Sequence, residues 1–116
     1  MSMKKILLTL LLSVLPVVAN AYVDKSNAVV RILNKDAGKV IEKTIPVNEN
    51  INFEKLNIKV RSCKQSDPFD ALDYFSFLEI SDAKDGLVFS GWMTRNEPGA
   101  NPLQHPDYDV WLVKCE

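Results

Sequence analysis

Apolar and polar residues alternate with a period of two along much of this chain, and the alternation breaks at short clusters of Asp, Asn, Gly and Pro. The clearest stretch is Leu56 to Cys63, where Leu56, Ile58 and Val60 alternate with Asn57, Lys59 and Arg61, the pattern of a strand with one buried face. Cys63 falls in the polar phase, so it either lies on the outside of the strand end or follows a bulge that re-aims it.

The same reading extends in both directions. Residues 27–34 and 40–45 form β-branched runs on either side of Lys35-Asp36-Ala37-Gly38, which predicts a hairpin. Pro46 removes a ladder donor, so that second strand ends there or lies on an edge. Ile51–Phe53 and Leu56–Cys63 bracket another turn. Asp67-Pro68 and the acids Asp67, Asp70 and Asp73 mark a solvated loop with room for a short helical turn over residues 69–73. From Tyr74 to Ile80 apolar groups occupy both phases, Phe75 and Phe77 on one side and Leu78 and Ile80 on the other, which predicts a central strand covered on both faces. A turn over residues 82–86 then leads to a returning strand at 87–93. No helical period occurs beyond the N-terminal segment. Six or seven short strands joined by turns imply an all-β fold, a small antiparallel sandwich or barrel-like domain.

The N-terminal segment changes the picture of where that domain works. Lys4-Lys5 precede an apolar run from Ile6 to Val18 that ends at Ala19-Asn20-Ala21, the small-x-small pattern of a signal-peptidase site. The run contains Pro16 and is shorter than the ~20 residues of a membrane-spanning helix. Residues 1–21 are expected to be a cleaved signal peptide and 22–116 a single β domain, periplasmic or secreted, with no membrane span after cleavage. Fourteen basic side chains less Lys4 and Lys5 leave twelve against fifteen acidic ones, a net charge of −3, which gives no footprint for nucleic acid. Cys63 and Cys115 are the only cysteines and meet an oxidising compartment after export, so they are expected to pair.

Candidate chemistry gathers in the C-terminal third. Both tryptophans, the single histidine and Pro98, Pro102 and Pro106 lie between Phe89 and Cys115. The loop from Thr94 to Asp107 has no periodicity, and its three prolines predict order. Two roles compete for it: a rigid binding loop beside Trp92, or a lid over an open end of the core. His105, Asp107 and Asp109 would share one face of an extended segment and could serve as a cation site or acid–base pair. There is no second histidine and no recognisable ligand spacing, so packing of His105 and capping by the two aspartates is the preferred account. Trp92 and Trp111 suit either a stacking platform or the core; if Trp111, Val113 and Cys115 share a face, Trp111 covers the disulfide. No nucleophile elbow or glycine-rich phosphate loop is present.

Arg61-Ser62-Cys63, Phe77-Leu78-Glu79-Ile80, Phe89-Ser90-Gly91-Trp92-Met93 and His105-Pro106-x-Tyr108-Asp109-Val110-Trp111, ending at Cys115, resemble the 2155 family of domains of unknown function, short exported proteins of alpha-proteobacteria. The resemblance spans about Val29 to Cys115. It implies a bacterial periplasmic address and a shared disulfide, and it brings no catalytic residues. The resulting expectation is a non-enzymatic domain without cofactor or metal that binds another cell-envelope component, a protein partner, through the 94–107 end. Trp92, Arg95, Asn101, His105 and Asp107 are the candidate contact residues. The alternatives are a secreted inhibitor of a cell-wall hydrolase or protease that inserts the proline-rich loop into a cleft, and a small metal-dependent hydrolase using His105, Asp107 and Asp109.

Overall fold

Two of the hairpin turns named above place a glycine where the backbone needs a positive φ. Gly38 and Gly86 adopt positive φ of 63° and 76°, which costs glycine nothing. Glu54 adopts φ 52° without that freedom. Its carboxylate accepts hydrogen bonds from Asn34 Nδ2 at 2.8 Å and Tyr108 Oη at 2.9 Å, which tie this turn to two other elements.

The computed structural model describes residues 21–116. Apart from Ala21, the targeting segment read over residues 1–21 lies outside them. Eight strands follow in order: β1 (Val23–Asp24), β2 (Asn27–Asn34), β3 (Lys39–Pro46), β4 (Asn50–Phe53), β5 (Leu56–Gln65), β6 (Tyr74–Asp82), β7 (Gly86–Thr94) and β8 (Tyr108–Cys115). The larger sheet runs β1-β5-β6-β7, with β4 also paired to β5, and the smaller runs β3-β2-β8. All pairings are antiparallel. The fold is thus the all-β sandwich that the alternation predicts. The additional strand is β1, a two-residue pairing of Val23 and Asp24 with Gln65 and Lys64, too short to leave a periodic signal.

The inner faces meet in one core that includes Val30, Ile32, Ile45, Leu56, Ile58, Val60, Leu78, Ile80, Val110 and Leu112. Two expectations need correction. In β6, Ser76, Leu78, Ile80 and Asp82 point inward, whereas Phe75 and Phe77 are only half-buried. Their outer face is shielded by neighbouring rings, Tyr22 stacked on Phe75 at 5.3 Å and Trp92 edge-on to Phe77 at 5.5 Å, and not by a second layer. Residues 66–73 contain turns and no helix. Asp67 Oδ1 accepts the Phe69 N–H and Ser66 Oγ accepts the Asp73 N–H, local bonds that compete with helix formation.

Three β-bulges reset the alternation. In β5 the pairing steps from Val60↔Leu78 to Ser62↔Phe77, leaving Arg61 as the extra residue. In β8 it steps from Leu112↔Val30 to Lys114↔Val29 around Val113. In β7 the extra residue is Val88. The first two bring Cys63 and Cys115 into the interior, where they form a disulfide across the sheets. Of the two arrangements open for Cys63, the bulge is the one present. The bulge at Val113 also moves Trp111 away from the disulfide: Trp111 keeps the outward phase while Cys115 joins that of Tyr108, Val110 and Leu112.

Candidate functional site

The larger sheet extends past the smaller one at β7, whose inner residues Phe89 and Met93 are nevertheless buried. Residues 95–107 cover them. This strap runs beside β8 in the place a fourth strand of the smaller sheet would take. The lid expectation therefore holds in a modified form, since the segment closes a side seam and not an end.

The strap is fixed at three places. At its start the Arg95 N–H donates to Tyr74 O at 3.0 Å, and Arg95 Nη2 and Asn96 Nδ2 both donate to Leu72 O. The Arg95 guanidinium also lies 5.1 Å from the Tyr74 ring centroid. In the middle Asn101 Nδ2 donates to Trp92 O at 3.1 Å, and Leu103 is buried in the core. Gly91 permits this approach, because a Cβ there would meet Asn101 Nδ2 at 2.9 Å.

His105 anchors the far end. The Asp107 N–H donates to Nδ1 at 3.0 Å, so Nδ1 carries the lone pair and Nε2 carries the hydrogen. Nε2 then donates to Asp82 Oδ2 at 2.7 Å, with side-chain exposures of only 4% and 5%. Asp82 Oδ1 accepts the N–H groups of Lys84 and Asp85. The Lys84 N–H above all, and then His105, hold the Asp82 carboxyl below the usual carboxylate range against the opposing effect of burial. Beside this pair, burial and the neighbouring Glu54 carboxylate push the Tyr108 phenol up. Lys35 Nζ completes the anchor by donating to His105 O at 2.9 Å.

This arrangement sorts the candidate residues into two groups. His105 and Asp107 sit at the 82–85 end, where His105 faces inward with both ring nitrogens engaged. Asp109 lies at the surface 3.7 Å from Lys35 Nζ, so His105 and Asp109 diverge instead of facing a common point. Arg95 and Asn101 hold the strap at the other end and middle. The Trp92 ring, 42% exposed, lies on the outer face of β7, opposite the strap. There it borders a cavity of about 240 Å³ with Tyr22, Lys64 and Phe75.

The tryptophan beside the strap is Trp111. One cavity of about 280 Å³ lies between strap residues Pro98, Gly99, Pro102 and Leu103 and strand residues Asp109, Val110 and Trp111. A second, of about 350 Å³, continues past Trp111, lined by Arg31, Arg95, Pro98, Leu112 and Val113. Together they form a groove along β8. Trp111 is one of the two tryptophans that suit a stacking platform or the core, whereas Arg31 carries no signal in the sequence for this role, because their meeting depends on the Arg31↔Trp111 register of β2 and β8.

Residues 28–115 match the family described as an uncharacterized protein conserved in bacteria (DUF2155). An uncharacterized protein of Rickettsia prowazekii (strain Madrid E) is 26% identical over 95 residues, covering 78% of this chain. The chain spans 61% of the length of that relative. No solved structure matches the chain.

Proposed function

The chain belongs to the family of uncharacterized proteins conserved in bacteria (DUF2155), and from that premise we propose that it is an exported, non-enzymatic binding domain that holds another component of the bacterial cell envelope at the strap 95–107. One observation carries the reading. The strap is fixed at its start, middle and end, so the exposed tip 98–102 is held rigid beside a groove with an aromatic wall. Ordering entropy is then largely spent on folding and not on association. The Cys63–Cys115 disulfide is consistent with a periplasmic or secreted address. The histidine that could serve acid–base or metal chemistry is instead used to fasten the strap.

The test is in-cell crosslinking from a photoreactive residue at Gly99, where an added Cβ meets no atom within 4 Å. One dominant envelope partner is the expected outcome. Absence of any specific adduct from Gly99, with the protein folded and abundant, overturns the proposal. A rigid proline-bordered tip is also what an inhibitor presents to a cleft, so capture of a cell-wall hydrolase or protease that loses activity on binding moves the reading to inhibition.

A further inference from the structure

The two ends of the sandwich carry different surfaces. At one, His105 meets Asp82 beside the 82–86 turn. At the other, β1 enters next to the Gln65↔Tyr74 pair, from which the 66–73 loop leaves and returns. Arg95 and Asn96 bind Leu72 O at this second end, and Tyr22 stacks on Phe75. Among the described residues the exposed large apolar side chains are Tyr22, Phe69, Leu72 and Trp92, together with Val40 and Leu87. The first four belong to the loop end and the outer face beside it. Val40 and Leu87 follow the Gly38 and Gly86 turns at the opposite end.

Hydrogen bonds within the 66–73 loop hold its apolar groups outward. Asp67 Oδ1 accepts the Phe69 N–H, Asp73 Oδ1 accepts the N–H groups of Tyr74 and Asn96, and Ser66 Oγ donates to Ala71 O. The carboxylates of Asp67 and Asp73 are thus used by the backbone, while Phe69 stands 98% exposed. Folding gains nothing from a phenyl ring left in water. Beside the loop, Tyr22, Phe75 and Trp92 border their hollow with Lys64. Protruding apolar groups with indole, phenol and ammonium set behind them match the layers of a bilayer surface, acyl chains first and headgroups next.

The N-terminal segment points to the same occupant. The apolar run Ile6–Val18 ends four residues before Tyr22, a reach of at most about 14 Å. A membrane engaged by that run during export lies within this distance of Tyr22.

We propose that the loop end seats the domain on a phospholipid bilayer, with Phe69 and Leu72 entering the acyl region and Tyr22, Lys64 and Trp92 at the headgroup level. This goes beyond the partner reading, from which it takes only the exported address, and it uses none of residues 95–107. Charge adds little to the seating. Lys64 lies 3.5 Å from Asp24, and Asp70 adjoins Phe69, so apolar area and not anionic lipid drives it.

The experiment uses the processed full chain and vesicles of phosphatidylcholine, alone or with an equal part of phosphatidylglycerol. Co-sedimentation with both is expected. Phe69→Ser combined with Leu72→Ser should weaken partitioning about tenfold or more. The thermal melt should not move, since neither side chain belongs to the core. Val40→Ser combined with Leu87→Ser should leave partitioning unchanged. Lipids brominated on the acyl chains should quench Trp92, isolated by Trp111→Phe, more than Trp111, isolated by Trp92→Phe. Absence of co-sedimentation at millimolar lipid overturns the proposal, as does an equal loss in both double variants. Binding confined to the anionic vesicles and abolished by salt assigns it to basic side chains and also overturns it. Self-association that disappears with Phe69→Ser and Leu72→Ser, without vesicle binding, gives this end to a second copy instead. Vesicle binding is read without any protein partner, so its failure leaves the Gly99 crosslink to decide the partner reading.

Discussion

His105 and Asp82, from the strap and from the end of β6, form a buried pair in which the imidazole donates through Nε2 and accepts a backbone N–H at Nδ1. One side chain therefore fastens both the strap to the larger sheet and the strap to itself.

His105→Ala removes both ring hydrogen bonds and leaves the Asp82 carboxylate with its backbone donors alone. A loss of about 2–3 kcal/mol is expected, a fall in Tm of roughly 10–20 °C for a domain of this size. Amide exchange should accelerate in the strap before it does in β5 and β6. Thermal melts with residue-resolved exchange check this, and a change under ~0.5 kcal/mol shows that the pair does not hold the strap.

Asp82 also sets an acid limb. Its folded pKa lies below the ordinary 3.8, so on acidification the unfolded chain takes up this proton first. The stabilisation is complete above the unfolded value and is lost as pH falls through the folded one. Glu79, held below its ordinary 4.5 chiefly by its hydrogen bond from Arg61, acts in the same sense. Asp82→Asn cannot ionise, so its urea midpoint should depend less steeply on pH below about 4. Parallel acid limbs for variant and wild type contradict the assignment.

Replacing Cys63 and Cys115 together by Ala opens a link across a sequence separation of 52. The chain-entropy account gives a loss of about 4 kcal/mol, a large share of the stability of so small a fold. Denaturant titration of the double variant measures it, and a loss below ~1 kcal/mol means that the reduced, unfolded chain is already constrained.

Gly91 and Asn101 should be energetically coupled. In the wild type, Gly91→Ala displaces the Asn101 amide and sacrifices its bond to Trp92 O, at a cost of about 1 kcal/mol. In an Asn101→Ala background the clash is gone, and the same change should stabilise by roughly 0.5–1 kcal/mol because alanine has less conformational freedom to lose than glycine. A double-mutant cycle that returns no coupling removes Asn101 from the account of the strap.

Much of the fold was legible because its signals are local. Asp36-Ala37-Gly38 and the 82–86 turn define hairpins, and Leu56, Ile58 and Val60 declare their buried face by alternation alone. The disulfide partners were legible by elimination, but the orientation of each cysteine was not. A single extra residue at Arg61 or Val113 inverts the phase that alternation implies, and neither bulge has a glycine or proline to mark it. Phe75 and Phe77 read as a second buried face because apolar residues fill both phases of β6, whereas in the structure each is half-covered by one ring from a neighbouring segment, Tyr22 and Trp92. The proline-rich loop was visible as ordered, yet its path along β8 depends on packing between distant strands. For that reason Trp111 and Arg31, and not Trp92, border the groove. Phe69 stands 98% exposed on the 66–73 loop, a solvated crossing without the short helical turn that the sequence leaves room for.

The bulges at Arg61 and Val113 also bear on when the disulfide can close. With either strand paired one residue out of step, its cysteine would point to the sheet exterior, and the two thiols would lie on opposite sides of a packed layer. Bond formation between them is then a checkpoint on strand pairing, passed only by chains whose two sheets have already slid into the native alignment. A chain paired out of register keeps its thiols and remains open to correction.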